Sequence, residues 1–190
     1  MAVGKVDKWK LKKWYDVSAP KLFKEMNIGE VPANSDAAMQ NRNLVIDLFS
    51  ITSNPAHMYT NVHLKVYDAS GTAAKTKLMA VEQLYSYIRS LSRRHKTLSE
   101  LVTEVTSKDN IKMVVKLIVV ANGRITSSRK DGIRDEARKV IHNYFKENNA
   151  EEIINNIIEK KLQGEITAKL SHITQISKVE IKKLEIPQGV

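Results

Sequence analysis

The residues with the clearest chemical potential are lysines and arginines that occur in three clusters. Guanidinium groups bind phosphate oxygens through paired donors, and lysine binds them as a point charge. Aromatic rings beside such cations can stack on unpaired bases. The first cluster is Lys5, Lys8, Lys10, Lys12 and Lys13, interleaved with Trp9, Trp14 and Tyr15; the second is Arg89, Arg93, Arg94, His95 and Lys96; the third is Arg124, Arg129, Lys130, Arg134, Arg138 and Lys139.

The overall charge of the chain favours a polyanionic partner as well. Its 190 residues include 31 Lys and Arg against 21 Asp and Glu, which gives a formal net charge of +10. Residues 1–140 hold 24 basic and 14 acidic side chains, whereas residues 141–190 hold 7 of each. An excess of this size is typical of proteins that bind nucleic acid, and it belongs to the first three-quarters of the chain.

Other kinds of chemistry lack the residues they need. The chain has no cysteine, which excludes a disulfide framework, a thiolate zinc site, an iron–sulfur cluster and a cysteine nucleophile. Its 7 glycines form neither of the common phosphate-loop motifs, and no two of its 5 histidines are spaced four apart. The sequence therefore predicts no catalytic site, no metal and no cofactor. No run of about 18 apolar residues occurs, so no membrane span is expected.

Each basic cluster also has a structural interpretation. A single row of cations is usually the solvated face of a helix. Three acidic residues within 131–136 stand close enough to pair with part of the third cluster, whereas no acidic residue lies between Glu82 and Glu100 to pair with the second. Trp9 and Trp14 have two possible roles, anchoring the N-terminal segment to the core or stacking on bases, and the sequence leaves both open.

Hydrophobic periodicity predicts the elements that position these clusters. Residues 1–20 are predicted to form an extended basic and aromatic arm, and residues 21–190 a single domain. Strands are predicted at 44–49, 59–66, within 73–79, at 97–106 and 111–121 as a hairpin with its turn at 107–110, and at 177–186; helices are predicted at 80–94, 127–147, 150–162 and 164–173; residues 27–42 are predicted to be loop.

Two consequences follow from this order of elements. Because strands and helices come mostly in blocks, the predicted class is α+β with a mostly antiparallel sheet. On the helix at 80–94, Arg89, Arg93 and Lys96 fall at i, i+4 and i+7, so they are predicted to form one exposed row beside the apolar face. The apolar residues of 150–162 are interpreted as packing on the core rather than as a docking face.

One segment near the N-terminus resembles a known family. It reads Lys12-Lys13-Trp14-Tyr15-Asp16-Val17, followed by Ala19-Pro20, Phe23 and Asn27-Ile28-Gly29. Further segments that agree in order are Ser92-Arg93-Arg94, Lys108-Asp109, Ser127-Ser128-Arg129-Lys130 with Ile133-Arg134, and Lys178-Val179-Glu180-Ile181-Lys182-Lys183-Leu184. The chain is similar over about residues 5–186 to the archaeal and eukaryotic small-subunit ribosomal protein family called S-three-A-e, also known as S-one of the e type.

This resemblance implies a β-barrel-like core with helices packed around it. It also implies a structural constituent of the small ribosomal subunit, in the cytoplasm, on the subunit platform near the messenger exit. The implied partners are small-subunit ribosomal RNA and neighbouring platform proteins, with messenger RNA left open as a third. No catalytic residue is implied. The residues predicted to bind RNA are Lys8, Trp9, Lys10, Lys12, Lys13, Trp14, Arg89, Arg93, Arg94, Lys96, Arg124, Arg129, Lys130, Arg134 and Arg138.

Two other functions are compatible with basic clusters. The first is a protein-interaction module that binds acidic partner proteins through the same cations. The second is an enzyme acting on nucleic acid, which needs carboxylates clustered around Mg²⁺. The acidic residues of this chain are scattered, so the sequence favours RNA binding over catalysis.

Overall fold

The chain folds into one branched, eight-stranded sheet with helices on its faces, seen in a computed structural model that describes Trp9, residues 12–187 and Gly189. The strands within these residues are β1 (Lys13–Ser18), β2 (Asn27–Ala33), β3 (Asn43–Asp47), β4 (Thr60–Ser70), β5 (Ala73–Gln83), β6 (Lys96–Thr106), β7 (Lys112–Asn122) and β8 (Ile176–Glu185). The α-helices are α1 (Asp36–Met39), α2 (Leu48–Thr52), α3 (Tyr85–Leu91), α4 (Ser127–Glu147), α5 (Ala150–Ile158) and α6 (Lys161–Leu170). None of these helices has both the length and the apolar character that crossing a bilayer requires.

The hairpin predicted at 97–106 and 111–121 is confirmed as β6 and β7. Its antiparallel register runs from Lys96 opposite Asn122 to Thr106 opposite Lys112. On β7, alternate residues such as Val115 face the main core. The far end of β7 is buried on both sides, as its sequence predicts, because Ile118 and Val120 pack against α3 on the opposite face.

The sheet does not close, so the barrel-like core implied by the resemblance is wrong. The strand β5 pairs with β4 along one edge, and two strands share its other edge. There β1 runs parallel to β5 where Asp16 meets Ala73, and β8 runs antiparallel where Val81 meets Leu184. The strand β8 pairs with β7 along its length, and only its last three residues also pair with β5, so the sheet forks at β5. The α+β, mostly antiparallel class is confirmed.

Three strands lie at open edges of this forked sheet. Within residues 12–187, β2, β3 and β6 are each paired along one side only, whereas a barrel needs every strand paired on both sides. The loop predicted at 27–42 is wrong for residues 27–33, which form β2 paired with β1, and for residues 36–39, which form α1. Pro32 within β2 fits an edge position, because it has no N–H to donate, and its carbonyl accepts a hydrogen bond from Arg42 Nη1 at 2.9 Å.

The C-terminal helices form the other half of the main core. The helix predicted at 127–147 is confirmed as α4, which buries Ile133 and Phe145 against the sheet. Ile153 and Leu162, from α5 and α6, are completely buried in the same cluster. The interpretation of residues 150–162 as core packing is therefore confirmed, and the neutral C-terminal quarter holds the sheet rather than contributing to the basic surface.

The ion pairs of Glu185 predict a loss of stability in acid. Its carboxylate accepts hydrogen bonds from Lys116 Nζ at 2.9 Å and Lys183 Nζ at 3.2 Å, and the bond from Lys116 is the main reason that the pKa of Glu185 is lowered. A carboxyl group whose pKa is lower in the folded than in the unfolded chain stabilises the fold above its unfolded pKa. We therefore expect the free energy of unfolding to fall as the pH drops below the ordinary value of 4.5, measured by urea denaturation from pH 6 to pH 3.

The variant Glu185→Gln serves as the control for this prediction, because it removes the titrating group and keeps the side-chain shape. Its stability should depend less on pH over this range than that of the original chain. If both proteins lose stability in parallel, the lowered pKa of Glu185 contributes nothing and other carboxylates dominate acid unfolding.

Candidate nucleic-acid interface

The second and third basic clusters meet at the end of the sheet where β6 begins and β7 ends. The Gly123 N–H donates a hydrogen bond to the His95 carbonyl at 2.9 Å, and the Thr97 hydroxyl donates to the Gly123 carbonyl at 2.7 Å. Arg94 and Arg124 are each adjacent in sequence to one member of the hydrogen-bonded pair His95 and Gly123, so this bond brings the second and third clusters together. We define the basic end by Arg89, Arg93, Arg94, Lys96, Arg124, Arg129 and Lys130.

The helix predicted at 80–94 is wrong at both ends, and so is the row of cations predicted on it. Residues up to Gln83 belong to β5, and α3 covers only Tyr85–Leu91. Val81, whose spacing favours a helix, instead pairs across the sheet with Val62 and Leu184. Tertiary pairing thus overrides a local helical period.

Arg93 and Arg94 are exposed because they lie in a tight turn. The Lys96 N–H donates to the Arg93 carbonyl at 3.2 Å, which closes a turn with Arg94 and His95 at its centre. His95 adopts a φ of 61°, a conformation that suits turns and that few residues other than glycine adopt. A turn of this kind directs its central side chains away from the sheet, so the cations are displayed without a helix.

The arginines of the second cluster have no carboxylate partner among the described residues. Arg89, Arg93 and Arg94 are exposed, and no ion pair within residues 12–187 includes them. The predicted absence of a counter-ion between Glu82 and Glu100 explains this. The Arg93 Nε donates only to the Ser90 carbonyl, at 3.3 Å. These three guanidinium groups therefore remain available to an external anion.

The third cluster is divided between available and paired cations. Arg134 pairs with Asp131 at 2.8 Å and Arg138 pairs with Asp135 at 2.9 Å, which confirms the pairing that the sequence allowed. The Arg134 Nε also donates to the Glu100 carbonyl and so ties α4 to β6. Arg124 and Arg129, nearer the basic end, are exposed. The N-terminal residues of the third cluster therefore belong to the basic end, whereas Arg134 and Arg138 are paired within α4.

Lys96 and Lys130 occupy the margins of the basic end. The Lys96 ammonium donates to the Ser177 hydroxyl at 2.8 Å, so it is held against the start of β8 but keeps its charge. Lys130 is half-buried in the first turn of α4. Both lysines therefore contribute to the positive electrostatic potential of the basic end more than to direct contacts with a ligand.

The first cluster lies elsewhere. Lys8 and Lys10 are outside the described residues. Lys13 is exposed on β1, and the Lys12 ammonium lies 4.1 Å from the centre of the Trp9 ring. Trp14 is 53% exposed, whereas Tyr15 is completely buried and its hydroxyl donates to Asp36 at 2.5 Å. Tyr15 is thus the aromatic anchor of this segment, and the Trp14 ring is directed outward.

The sheet separates the first cluster from the basic end. The strand β1 runs beside the beginning of β5, and α3 follows the end of β5. Because β5 is 11 residues long and a strand rises about 3.3 Å per residue, the two basic regions are roughly 30 Å apart. The structure therefore brings the second and third clusters together and leaves the first as a separate region.

Sequence reasoning missed a group of tyrosines beside the basic end. Tyr59 and Tyr87 stack with ring centres 5.1 Å apart and planes 10° from parallel. Tyr85, at the first position of α3, is 67% exposed, and the Arg89 guanidinium lies 5.5 Å from its ring centre. The available signal was the pair of tyrosines next to Arg89 in sequence, but Tyr85 also matched the apolar stripe of the wrongly extended helix.

A buried carboxylate holds this part of the molecule together. Glu180 on β8 is 1% exposed, and it accepts a hydrogen bond from the Tyr87 hydroxyl at 2.7 Å. Lys178 lies 3.2 Å and Lys160 3.8 Å from the same oxygen. Lys178 also donates to the Tyr87 hydroxyl, and that bond raises the pKa of Lys178, while burial raises the pKa of Tyr87.

The described residues offer little to a metal ion. No three His, Asp or Glu side chains within them lie close enough together to form a binding group. The chemistry available at the basic end is therefore electrostatic: guanidinium donors, ammonium groups and exposed rings.

Comparison with known proteins identifies the family of this chain. Residues 2–188 match the Ribosomal S3Ae family. The chain is 31% identical to "Small ribosomal subunit protein eS1" of Sulfurisphaera tokodaii over 95% of its own length and 93% of the relative. It is 32% identical to the protein of the same name from Sulfolobus acidocaldarius, over 95% of this chain and 92% of that one. The corresponding protein of Pyrobaculum aerophilum is 28% identical over 98% and 84% of the two chains.

A match over nearly the whole chain leaves little room for another assignment. The protein belongs to the Ribosomal S3Ae family, and the resemblance noted in its sequence is confirmed. The mixed α/β sheet with a basic end is the form that this family takes here.

The bonds of Tyr87 predict a measurable structural role for its hydroxyl. In Tyr87→Phe, the buried Glu180 carboxylate loses a donor and Lys178 loses an acceptor. Losing hydrogen bonds to a buried charged group costs about 1–2 kcal/mol, so we expect a drop of this size in the free energy of unfolding, measured by urea denaturation. The exposed Tyr67, changed to Phe, is the matched control and should leave stability unchanged. Equal stability of the two variants would contradict the role given to Glu180.

Proposed function

We propose that this protein is a structural constituent of the small ribosomal subunit and binds ribosomal RNA through its basic end. Family membership and the names of the relatives support the ribosomal assignment. The resemblance in sequence supports the finer location, on the platform near the messenger exit, with neighbouring platform proteins and messenger RNA as further partners. Its place in the cell is then the cytoplasm, within the ribosome.

The observation that carries RNA binding is the unpaired state of Arg89, Arg93 and Arg94. Guanidinium groups without a carboxylate partner among the described residues offer most of their donors to phosphate oxygens, and only the Arg93 Nε is used internally, by the Ser90 carbonyl. Each phosphate neutralised in this way releases counterions, which supplies affinity that does not depend on base sequence. Contacts of this kind fix the position of an RNA segment, so the proposed role is architectural and not catalytic.

The two basic regions lie roughly 30 Å apart, a distance estimated from the length of β5. Two separate contact regions suit an architectural role. The basic end would hold one RNA segment, and the cluster around Lys12 and Lys13 would hold another. A rigid sheet between them would fix the distance between the two segments. The exposed Trp14 adds a ring to the second contact.

The binding of RNA should weaken steeply with salt. For three phosphate contacts at about −0.7 each, the slope of log K against log salt concentration should be −2 or steeper. Replacing Arg89, Arg93 and Arg94 together by alanine should reduce the magnitude of this slope by about 2, because those three contacts are lost. Fluorescence anisotropy with a labelled RNA at several salt concentrations measures both slopes, and thermal melting checks that the variant is folded.

A matched control removes three charges at the other end of the same hairpin. Lys108, Lys112 and Lys146 are exposed there, and their triple alanine variant has the same net charge as the arginine variant. We expect it to keep most of the salt slope. If both variants lose the slope equally, binding follows net charge alone and the basic end has no special role.

Sedimentation tests the ribosomal role itself. The protein is expected to co-sediment with small ribosomal subunits after a high-salt wash, since many contacts in a folded particle exceed those with free RNA. The arginine variant should be washed off at lower salt. Displacement of the bound protein by an acidic polypeptide, together with no displacement by RNA homopolymer, would contradict RNA binding and favour an acidic protein partner.

A further inference from the structure

We propose a stacking platform for unpaired nucleotides in which Tyr85 is the main ring, Arg89 binds the adjoining phosphate, and Tyr59 offers a separate second ring near the start of α3. This inference rests on the proposed RNA binding at the basic end and adds the class of RNA that the site takes. Neither tyrosine is among the residues that the sequence predicts to bind RNA.

Tyr85 presents the most accessible ring. It is the first residue of α3 and is 67% exposed, so it contributes little to the core. The Arg89 guanidinium, one helical turn later, lies 5.5 Å from the ring centre, within the range of a cation–π contact. A base stacked on this ring would therefore have a phosphate-binding group beside it.

Tyr59 supplies a second ring, already supported from behind. Its ring stacks on Tyr87, whose hydroxyl is fixed by Glu180 and Lys178. The Leu84 N–H donates to the Tyr59 carbonyl at 2.8 Å, which ties the backbone of Tyr59 to the start of α3 and so to Tyr85. A ring that is held before binding loses little conformational freedom on binding, which favours affinity.

The exposed rings select unpaired RNA for geometric reasons. In an A-form duplex each base is stacked on its neighbours, and the deep, narrow major groove excludes side chains. Ring faces can therefore stack only on bases that are outside a helix, such as those of loops, bulges and strand ends. Arg93 and Arg94, in the following turn, would bind phosphates of the same strand as it leaves the rings.

The chemistry of this group separates it from an ordinary basic patch. Phosphate contacts form with single-stranded and double-stranded RNA, and the denser charge of the duplex favours the duplex if anything. Stacking on an aromatic ring adds roughly tenfold in affinity for each base engaged, and only for unpaired bases. The preference for single-stranded RNA is thus the measurable signature of the platform.

The experiment compares two RNA probes on the full-length protein. One is an eight-nucleotide oligouridine, and the other is a blunt-ended RNA duplex in which every base is paired. In Tyr85→Leu, which keeps an apolar side chain but removes the ring, the affinity for oligouridine should fall about tenfold while that for the duplex stays the same. Tyr85→Phe should bind oligouridine as tightly as the original chain, because it retains the ring.

Tyr67 provides a matched control. It is 55% exposed and lies toward the far end of β4 from Tyr59, so Tyr67→Leu should bind both probes normally. A second readout uses an oligonucleotide that carries 2-aminopurine, whose fluorescence is quenched on stacking; we expect Tyr85→Leu to lose the quenching. Tyr85→Phe should restore the quenching. That result would attribute the loss in Tyr85→Leu to the missing ring and not to a change in the fold.

Each outcome decides between the inference and the proposed function. If the original chain binds both probes and Tyr85→Leu binds oligouridine unchanged and quenched, the platform is wrong while RNA binding stands. If the original chain binds neither probe, the proposed function itself fails. If Tyr85→Leu binds both probes normally but is released from small subunits, the tyrosines contact a neighbouring protein and the inference is overturned.

Discussion

The arrangement of the basic end depends on one buried charge, the carboxylate of Glu180. A charge removed from water is costly unless it is paired and hydrogen-bonded, and here Tyr87, Lys178 and Lys160 supply the partners. Tyr87 comes from α3, whereas Lys178 lies on β8 beside Glu180 and Lys160 precedes α6, so one carboxylate joins α3 to the C-terminal part of the chain, 93 residues away in sequence. The pairing also places α3 on the back of the sheet, where Ile88 packs against Ile118 and Val120. The position of Arg89 and of the turn that follows α3 depends on this contact.

The cations of the chain fall into two groups: those paired with carboxylates within the fold, and those without such a partner among the described residues. Arg134 and Arg138 are matched with carboxylates one turn away on α4, and Lys116 and Lys183 are matched with Glu185. Among the described residues, the arginines of the second cluster have no such partners, and their own stretch of sequence contains no acidic residue. Their mutual repulsion is a cost that the folded protein carries alone. In the proposed complex a bound polyanion would remove that cost, so the same charge would strengthen binding.

Long periodic segments were predictable, and short ones decided by tertiary contacts were not. The β6–β7 hairpin and α4 follow from sequence because their patterns extend over 11 and 21 residues. The predicted hairpin places the start of the 97–106 strand near the end of the 111–121 strand, so the meeting of the second and third basic clusters was accessible from the sequence. The helical spacing around Val81 failed because pairing with Val62 and Leu184 decides that segment. The forked sheet depends on how β8 divides its pairing between β5 and β7, and no local pattern encodes this.

The open edges of the sheet affect whether the free protein associates with other copies of itself. An unpaired strand is a template for pairing with another chain, and proteins protect such edges with proline and charge. The edge strand β2 carries both, in Pro32 and the exposed Glu30, and β3 ends in the exposed Asp47. On β6, Glu100 and Glu104 are both exposed, and Arg134 of α4 donates a hydrogen bond to the Glu100 carbonyl. Acidic residues at the strand edges of this basic protein thus disfavour self-association of the free chain into intermolecular sheets.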